Sequence, residues 1–144
     1  EQDRTSVLTA ASLVEMEASD SEDRRRIAGV IENRLAKGMR LQIDATVNYA
    51  RQKWGRLYYK DYKGVKSPYN TYLVKGLPPG PICSPSVDAV RAVLSPIESS
   101  ALYYVALPSG KTIYAATFAE HQKNIALRRA MIAESAASGR GKTP

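Results

Sequence analysis

Two glutamates spaced two positions apart, Glu15 and Glu17, are the residues of this chain best suited to acid–base chemistry. On a helix their side chains would lie about 200° apart, so a central helix would bury at least one of them. Burial raises the pKa of a carboxyl group, and the carbonyl end of a helix, which is nearer to Glu17, also disfavours negative charge. Both effects favour Glu17 as a protonated general acid. The local sequence equally allows both glutamates to face solvent or to pair with the arginines at 24–26.

A cluster of aromatic residues follows between residues 49 and 72. Seven of the eleven aromatic residues fall there, interleaved with Lys, Asn, Gln and Asp: Tyr49, Trp54, Tyr58, Tyr59, Tyr62, Tyr69 and Tyr72. Such a surface could stack on sugar rings and hydrogen-bond their hydroxyl groups, and single-stranded nucleic acid would use a similar surface over a basic groove. The same tyrosines could instead fill a poorly covered core. The cluster therefore indicates a flat, polar ligand but does not distinguish a glycan from a nucleic acid.

Polar residues in LQIDAT and SPYNTY could either orient a ligand or lock a loop: Gln42, Asp44, Asn70 and Thr71. Asn70 could also be a turn residue that bonds its own backbone, the commoner role of an asparagine after Pro-Tyr. The single histidine, His121, falls in the first turn of a predicted helix, where it is more often structural than catalytic.

Composition narrows the chemistry further. One histidine and one cysteine, Cys83, cannot supply a His/Cys zinc site or an internal disulfide. The sequence contains no phosphate-binding glycine loop, dinucleotide fingerprint or GxSxG elbow, so we expect no metal and no cofactor. The net charge of +7 implies attraction to polyanions such as nucleic acid, anionic lipid or an acidic wall polymer. The polar start, EQDRTS, lacks a Met and a signal peptide, and leads us to expect a fragment or processed chain.

The spacing of apolar residues predicts the helices that must hold these groups. Residues 6–18 predict a central helix. Three further residues make its other faces apolar: Leu8, Leu13 and Met16. Ser19 and Glu22 predict a capping box that starts a second helix, with a glycine cap at Lys37-Gly38. We expect the arginines at 24–26 on the solvated face of this second helix.

The remainder of the chain predicts mixed structure. Residues 39–49 begin with an apolar–polar alternation that favours an extended segment, and residues 50–82 show no periodicity, which favours a long irregular segment. Ser84 is the predicted N-cap of a short helix, and ALYYVAL with TIYAA predicts a β-hairpin. Thr117 predicts a second capping box and a last helix.

This order of elements predicts an α+β fold, with a helical core around the helix that carries Glu17, a β-hairpin and a long irregular segment rich in Tyr and Pro. Residues 1–138 form the predicted domain, and residues 139–144 a flexible tail.

Four strings, in order and at consistent spacing, resemble one family: ASLVEMEA, IAGVIENRLAKGMRLQIDATVNY, SPYNTYLVKGLPPGPICSP and LYYVAL followed by AEH. This is the family of YceG-like, or MltG-type, endolytic murein transglycosylases, and the resemblance covers roughly residues 7–127. YNTY followed by GLPPGPI is its most specific part. Ala45 stands where the family usually has proline, which should only loosen a turn, and Gln122 replaces the usual asparagine.

The resemblance implies a lyase that cleaves the β-1,4 bond between N-acetylmuramic acid and N-acetylglucosamine and leaves 1,6-anhydro ends. It places the catalytic glutamate at Glu17, in a lysozyme-like active-site arrangement. The residues expected to bind substrate are Glu15, Gln42, Asp44, Tyr49, Tyr69, Asn70, Thr71 and Tyr72. The expected partners are peptidoglycan glycan strands and cell-wall synthases such as penicillin-binding proteins, and not nucleic acid.

Family members also carry an N-terminal membrane helix and a small LysM-like domain. Neither is present in this sequence, so we expect the catalytic domain alone, from a membrane-anchored protein at the outer face of the cytoplasmic membrane. Two alternatives stay open. One is a muramidase-type hydrolase that uses the same acid with water as nucleophile and Asp44 as helper. The other is a non-catalytic binder of glycan or nucleic acid.

Overall fold

The computed structural model describes residues 3–140, which form two compact units, residues 3–99 and residues 100–140. These residues contain six α-helices and one two-stranded antiparallel sheet. The predicted α+β class is therefore confirmed. None of the helices in this range combines the length and the apolar character needed to cross a bilayer.

The described part of the first unit contains five helices: α1 (Arg4–Glu17), α2 (Ser21–Ala36), α3 (Asp44–Arg51), α4 (Tyr59–Gly64) and α5 (Val87–Leu94). Helix α1 packs against α2, α3 and α5, and the side chains of Ala11, Leu13 and Val14 are fully buried. The central helix predicted around residues 6–18 is confirmed. Two of the residues that make its other faces apolar, Leu8 and Met16, are nevertheless 42% and 41% exposed.

The ends of α2 are fixed by local hydrogen bonds. Its N-cap is Asp20, whose carboxylate accepts a 2.9 Å hydrogen bond from the Asp23 N–H, so the predicted N-cap at Ser19 is wrong by one residue. At the other end Gly38 adopts a φ of 66°, and the Met39 N–H donates to the Arg34 carbonyl at 2.9 Å. This arrangement is a Schellman cap, and it confirms the predicted glycine stop.

In the middle of the chain one prediction is wrong and another holds only in part. The predicted extended segment 39–49 becomes helical at Asp44, where α3 starts, because an acidic side chain suits a helix N-terminus and residues 45–48 turn inward to the core. The irregular segment 50–82 contains α4, whose first turn is held by the Asp61 carboxylate, a 2.7 Å acceptor for the Tyr58 N–H.

The proline-rich segment is fastened to α1 before it reaches α5. Ser12 accepts a 3.0 Å hydrogen bond from the Ile82 N–H, and its carbonyl accepts from the Cys83 thiol. Helix α5 then starts at Val87 with Ser86 as N-cap, two residues later than the predicted cap at Ser84. Ser84 precedes Pro85 in a stretch without helix or strand, and a residue before proline disfavours the helical conformation.

The second unit is a β-hairpin packed on one long helix. Strands β1 (Tyr103–Ala106) and β2 (Thr112–Ala115) pair antiparallel, which confirms the predicted hairpin, and both contact α6 (Phe118–Arg140). The Thr117 hydroxyl accepts from the Glu120 N–H at 3.2 Å, as predicted, whereas the Glu120 carboxylate accepts from the Ala116 N–H instead of closing a capping box.

Helix α6 extends to the end of the described chain. Residues 139 and 140 of the predicted flexible tail are its last two residues, and residues 141–144 of that tail lie outside the described residues.

Candidate functional site

Glu15 and Glu17 occupy the last turn of α1 and have different surroundings. Glu15 is held by Ser86, whose hydroxyl donates a 2.6 Å hydrogen bond and whose N–H donates one of 3.2 Å to the same carboxylate oxygen. Arg24 lies 3.5 Å from the other oxygen. The Ser86 hydroxyl, and then Arg24, lower the pKa of Glu15. Glu15 is therefore an ionised carboxylate that joins α1 to α2 and α5.

Arg24 continues this network into α5. Its guanidinium lies 2.8 Å from Asp88, which also accepts a hydrogen bond from the Ser21 hydroxyl at 2.9 Å. Arg24 is therefore half-buried and paired on both sides, so the prediction that it belongs to a solvated face is wrong. The Ser86 side chain and Asp88 come from a helix some seventy positions away in the sequence, which explains why local pattern gave no indication of this pairing.

Asp44 is the centre of a carboxylate–tyrosine cluster. The Tyr72 hydroxyl donates a 2.5 Å hydrogen bond to one of its oxygens, and the Tyr62 hydroxyl donates one of 3.3 Å to the other. The two tyrosine rings are in contact, with centroids 4.5 Å apart. Burial, followed by the hydrogen bond to Asp44, raises the pKa of Tyr72 well above its usual range. Tyr72 is thus a neutral phenol whose proton points at Asp44.

Glu17 lies within electrostatic reach of this cluster. When its carboxyl group is ionised, it raises the pKa of Tyr72, after burial and the interactions with Asp44 and Tyr62. Glu17 is half-buried and is the last helical residue of α1. Asp44 and Tyr72, which were predicted from separate parts of the sequence, are therefore in direct contact, and Glu17 acts on Tyr72 through its charge.

Thr71 clamps the start of α3. Its buried hydroxyl accepts a 2.9 Å hydrogen bond from the Ile43 N–H and lies 2.9 Å from the Thr46 hydroxyl. Its carbonyl accepts from the Gln42 N–H at 3.2 Å. Thr71 is 1% exposed, so its side chain fixes the backbone on either side of Asp44 from inside the fold.

Asn70 is buried in the same segment and performs a similar task. Its amide donates to the carbonyls of Val65 and Tyr62 at 2.9 and 3.2 Å, and its oxygen accepts from the Tyr72 N–H at 3.0 Å. The last of these bonds is the turn interaction with its own backbone that the sequence left as one alternative. Asn70 therefore sets the direction of the chain at Tyr72.

Tyr49 and Tyr69 form a second aromatic pair, with ring centroids 4.9 Å apart. The Tyr69 hydroxyl lies 3.3 Å from the position that a side chain at Gly80 would occupy, so a glycine there makes room for this phenol. Both tyrosines are half-buried and expose part of their rings.

Gln42 is exposed and has a left-handed backbone, with a φ of 54°, which is uncommon for a residue with a side chain. Arg34 supports this turn, because its guanidinium donates to the carbonyls of Arg40 and Leu41 at 2.8 and 3.3 Å. Gln42 and Tyr72 line the same surface groove.

The sequence did not single out Ser86 or Thr46, since their roles depend on partners far along the chain. The pairing of Glu15 with Arg24 is one of the alternatives that the sequence left open, and it is confirmed. Tyr62 belonged to the aromatic cluster but not to the predicted site, and only its contact with Asp44 places it there. Within residues 3–140, no group of three His, Cys, Asp or Glu side chains is close enough to hold a metal ion.

Comparison with known proteins matches this chain to one family. The model of the YceG-like family matches residues 1–127. A Bacillus subtilis protein named endolytic murein transglycosylase is 45% identical over 118 residues, and a Streptococcus pneumoniae protein of the same name is 42% identical over 126 residues. The crystal structure of a YceG-like protein from Listeria monocytogenes has a TM-score of 0.79 and 45% sequence identity, over 83% of this chain.

The chain belongs to the YceG-like family, and the resemblance seen in its sequence is confirmed. The matches cover 81% and 83% of this chain but only 32% of the Bacillus protein, 23% of the Streptococcus protein and 39% of the Listeria chain. The chain thus spans about a third or less of the curated relatives it matches.

Proposed function

We propose that this domain is the catalytic part of a lytic transglycosylase that cleaves glycan strands of peptidoglycan internally, between N-acetylmuramic acid and N-acetylglucosamine, with Glu17 as the acid. Relatives at 42–45% identity carry the name endolytic murein transglycosylase, which supports the reaction class. The observation that carries the assignment to Glu17 is the separation of the two glutamates. Glu15 is held by Ser86 and Arg24, whereas the charge of Glu17 acts on Tyr72, the hydrogen-bond partner of Asp44.

A single acid is sufficient for this reaction. Glu17 protonates the glycosidic oxygen, the bond to C1 breaks, and positive charge develops at C1. The carboxylate of Glu17 then removes the proton from the muramoyl O6 hydroxyl, which closes onto C1 to give the 1,6-anhydro ring. Because the nucleophile comes from the substrate, no second protein carboxylate has to attack C1, unlike in the paired-carboxylate glycosidases.

Asp44 supplies a fixed negative charge beside this centre. Hydrogen bonds from Tyr72 and Tyr62 occupy both of its oxygens and fix its orientation, which suits electrostatic stabilisation of positive charge at C1 better than activation of a water. This is the sense in which we infer a lysozyme-like arrangement. In this proposal the sugars stack on the rings of Tyr49 and Tyr69 and hydrogen-bond to the amide of Gln42. The buried side chains of Asn70 and Thr71 hold the backbone that carries Asp44 and Tyr72.

The family resemblance extends the proposal to the cell. The domain acts at the outer face of the cytoplasmic membrane, as part of a membrane-anchored protein that works beside cell-wall synthases such as penicillin-binding proteins. Its substrate there is the glycan of the cell wall, which agrees with the net charge of +7.

The mass of the products tests the reaction class. Purified sacculi are digested with the chain, and soluble fragments are analysed by mass spectrometry. The proposal predicts fragments lighter than the hydrolysis products by one water, without reducing ends. Fragments with reducing ends only would instead identify a hydrolase. Sacculi that stay intact would favour the alternative of a non-catalytic binding module.

A further inference from the structure

A groove of about 500 Å³ opens beside Tyr72 and carries three cationic side chains: Arg40, Lys63 and Lys66. Tyr62 and Gln42 form part of its remaining wall. All three cations are exposed, and in residues 3–140 none of them forms a salt bridge with a carboxylate. The groove therefore presents positive charge that no carboxylate of the described residues neutralises.

This differs from other cations of the first unit. Arg24 and Arg51 pair with carboxylates at 2.8 and 3.6 Å and hold helices or loops in place. Lys63 instead lies 5.1 Å above the ring of Tyr59, which keeps its ammonium group at the groove without neutralising it. Positive charge that pairs with no carboxylate of the described residues points to a ligand with negative charge.

The groove is continuous with the candidate site. Tyr72 and Tyr62 line it, and their hydroxyl groups bond to Asp44, the residue proposed to face C1 of the sugar. A sugar held at Asp44 would therefore place its substituents in or near the groove. A glycan strand without peptides offers only the lactyl carboxylate of each muramoyl residue, close to the sugar ring, whereas the short peptides of peptidoglycan carry further free carboxylates at a greater distance from it.

We propose that Arg40, Lys63 and Lys66 bind the carboxylates of the peptide stem on the glycan, so that the domain prefers peptide-bearing strands to strands without peptides. This inference rests on the proposed function for the position of the sugar. It adds a specificity subsite that the cleavage reaction by itself does not require.

A binding experiment on the 144-residue chain tests the subsite. Two soluble glycan fragments serve as probes, one with its peptides and one from which an amidase has removed them. The double variant Lys63→Glu, Lys66→Glu should bind the peptide-bearing fragment at least about tenfold more weakly. The peptide-free fragment, whose only carboxylates are the lactyl groups freed beside the sugar ring, should be weakened much less. The preference of the wild type should also shrink as salt concentration rises.

Lys60→Glu is the matched control, because Lys60 is on the same helix and is exposed but does not line the groove. Its binding of both probes should equal that of the wild type. Equal weakening of both probes by the double variant, or weakening by Lys60→Glu of the same size, would overturn the proposal. So would wild-type binding that is no tighter for the peptide-bearing probe, or that is tighter for teichoic acid than for this probe.

The two proposals fail in different ways. Cleavage of sacculi is measured in parallel, and its absence would refute the transglycosylase assignment without changing the comparison of probes. Thermal unfolding of each variant confirms that it is folded before its affinity is compared.

Discussion

The Tyr72 hydroxyl bonds to the Asp44 carboxylate at 2.5 Å, across 28 positions of the sequence. This bond connects the first residue of α3 to the YNTY segment, and the Thr71 and Asn70 hydrogen bonds fix the backbone on both sides of it. The buried side chains of Thr71 and Asn70 therefore fix the backbone that orients Asp44 and Tyr72. A site built in this way has little freedom to rearrange when a substrate arrives.

The pKa of Tyr72 gives a test by titration. Because it is raised above the ordinary value of 10.0, the stabilisation from this bond is fully present below that pH and is lost as the pH rises through the folded value. Phenolate absorbance should therefore show the same amplitude around pH 10 in the wild type and in Tyr72→Phe. An absorbance amplitude in Tyr72→Phe that is smaller than that of the wild type by the contribution of one of the nine tyrosines would contradict this.

Thr71→Val removes the hydroxyl that clamps α3 and keeps the shape of the side chain. The Ile43 N–H and the Thr46 hydroxyl then lose a buried partner, so the free energy of unfolding should fall by about 2 kcal/mol in chemical denaturation. Thr71→Ser keeps the hydroxyl and should recover most of that loss. A Val variant as stable as the wild type would show that the clamp does not stabilise the fold.

The network around Arg24 predicts an acid-sensitive fold. The Ser86 hydroxyl lowers the pKa of Glu15, and the hydrogen bond from Arg24 lowers that of Asp88. Their stabilisation is complete above the unfolded values of about 4 and is lost as the pH falls through the folded ones. Arg24→Gln should therefore make the free energy of unfolding less dependent on pH in this acid range. Arg26→Gln, which breaks only the exposed pair with Glu22, is the control and should leave the dependence unchanged.

Gly29 provides a test of packing between α2 and the chain after α5. A Cβ atom there would lie 2.4 Å from the Ile97 carbonyl oxygen, so Gly29→Ala should destabilise the protein by about 2 kcal/mol despite the better helix propensity of alanine. Gly64→Ala is the matched helical control, because no atom lies within 4 Å of its Cβ position. Thermal unfolding should rank Gly64→Ala at or above the wild type. Equal melting temperatures for the two variants would refute the predicted close contact.

Local signals in the sequence were sufficient for the elements whose partners are near in the chain. The apolar spacing of α1, the glycine stop at Gly38 and the hairpin turn are all read within a few residues. Helix α3 was missed because the first residues of its segment alternate like a strand and its clamp, Thr71, comes from 25 positions beyond Thr46. Propensity could not reveal a helix whose start is fixed from so far away.

The site shows the same division. The helix position of Glu17 was predictable, but the fate of Glu15 depends on Ser86, 71 positions later. The sequence left Asn70 and Thr71 open between orienting a ligand and locking a loop, and only their buried contacts favour the second role. The types of these side chains identify them as candidates for the site. Their individual roles depend on contacts with residues that are far away in the sequence.

The most direct test of the account compares Glu17→Gln with Glu15→Gln in cleavage of purified sacculi, with thermal unfolding of both. Removal of a general acid costs about a hundredfold or more in rate, so Glu17→Gln should lose at least that much while its melting temperature stays close to that of the wild type. Glu15→Gln should melt lower, because it weakens the contacts with Ser86 and Arg24, and should still cleave while it is folded. Undiminished cleavage by Glu17→Gln, or abolished cleavage by a folded Glu15→Gln alone, would contradict the assignment of the acid.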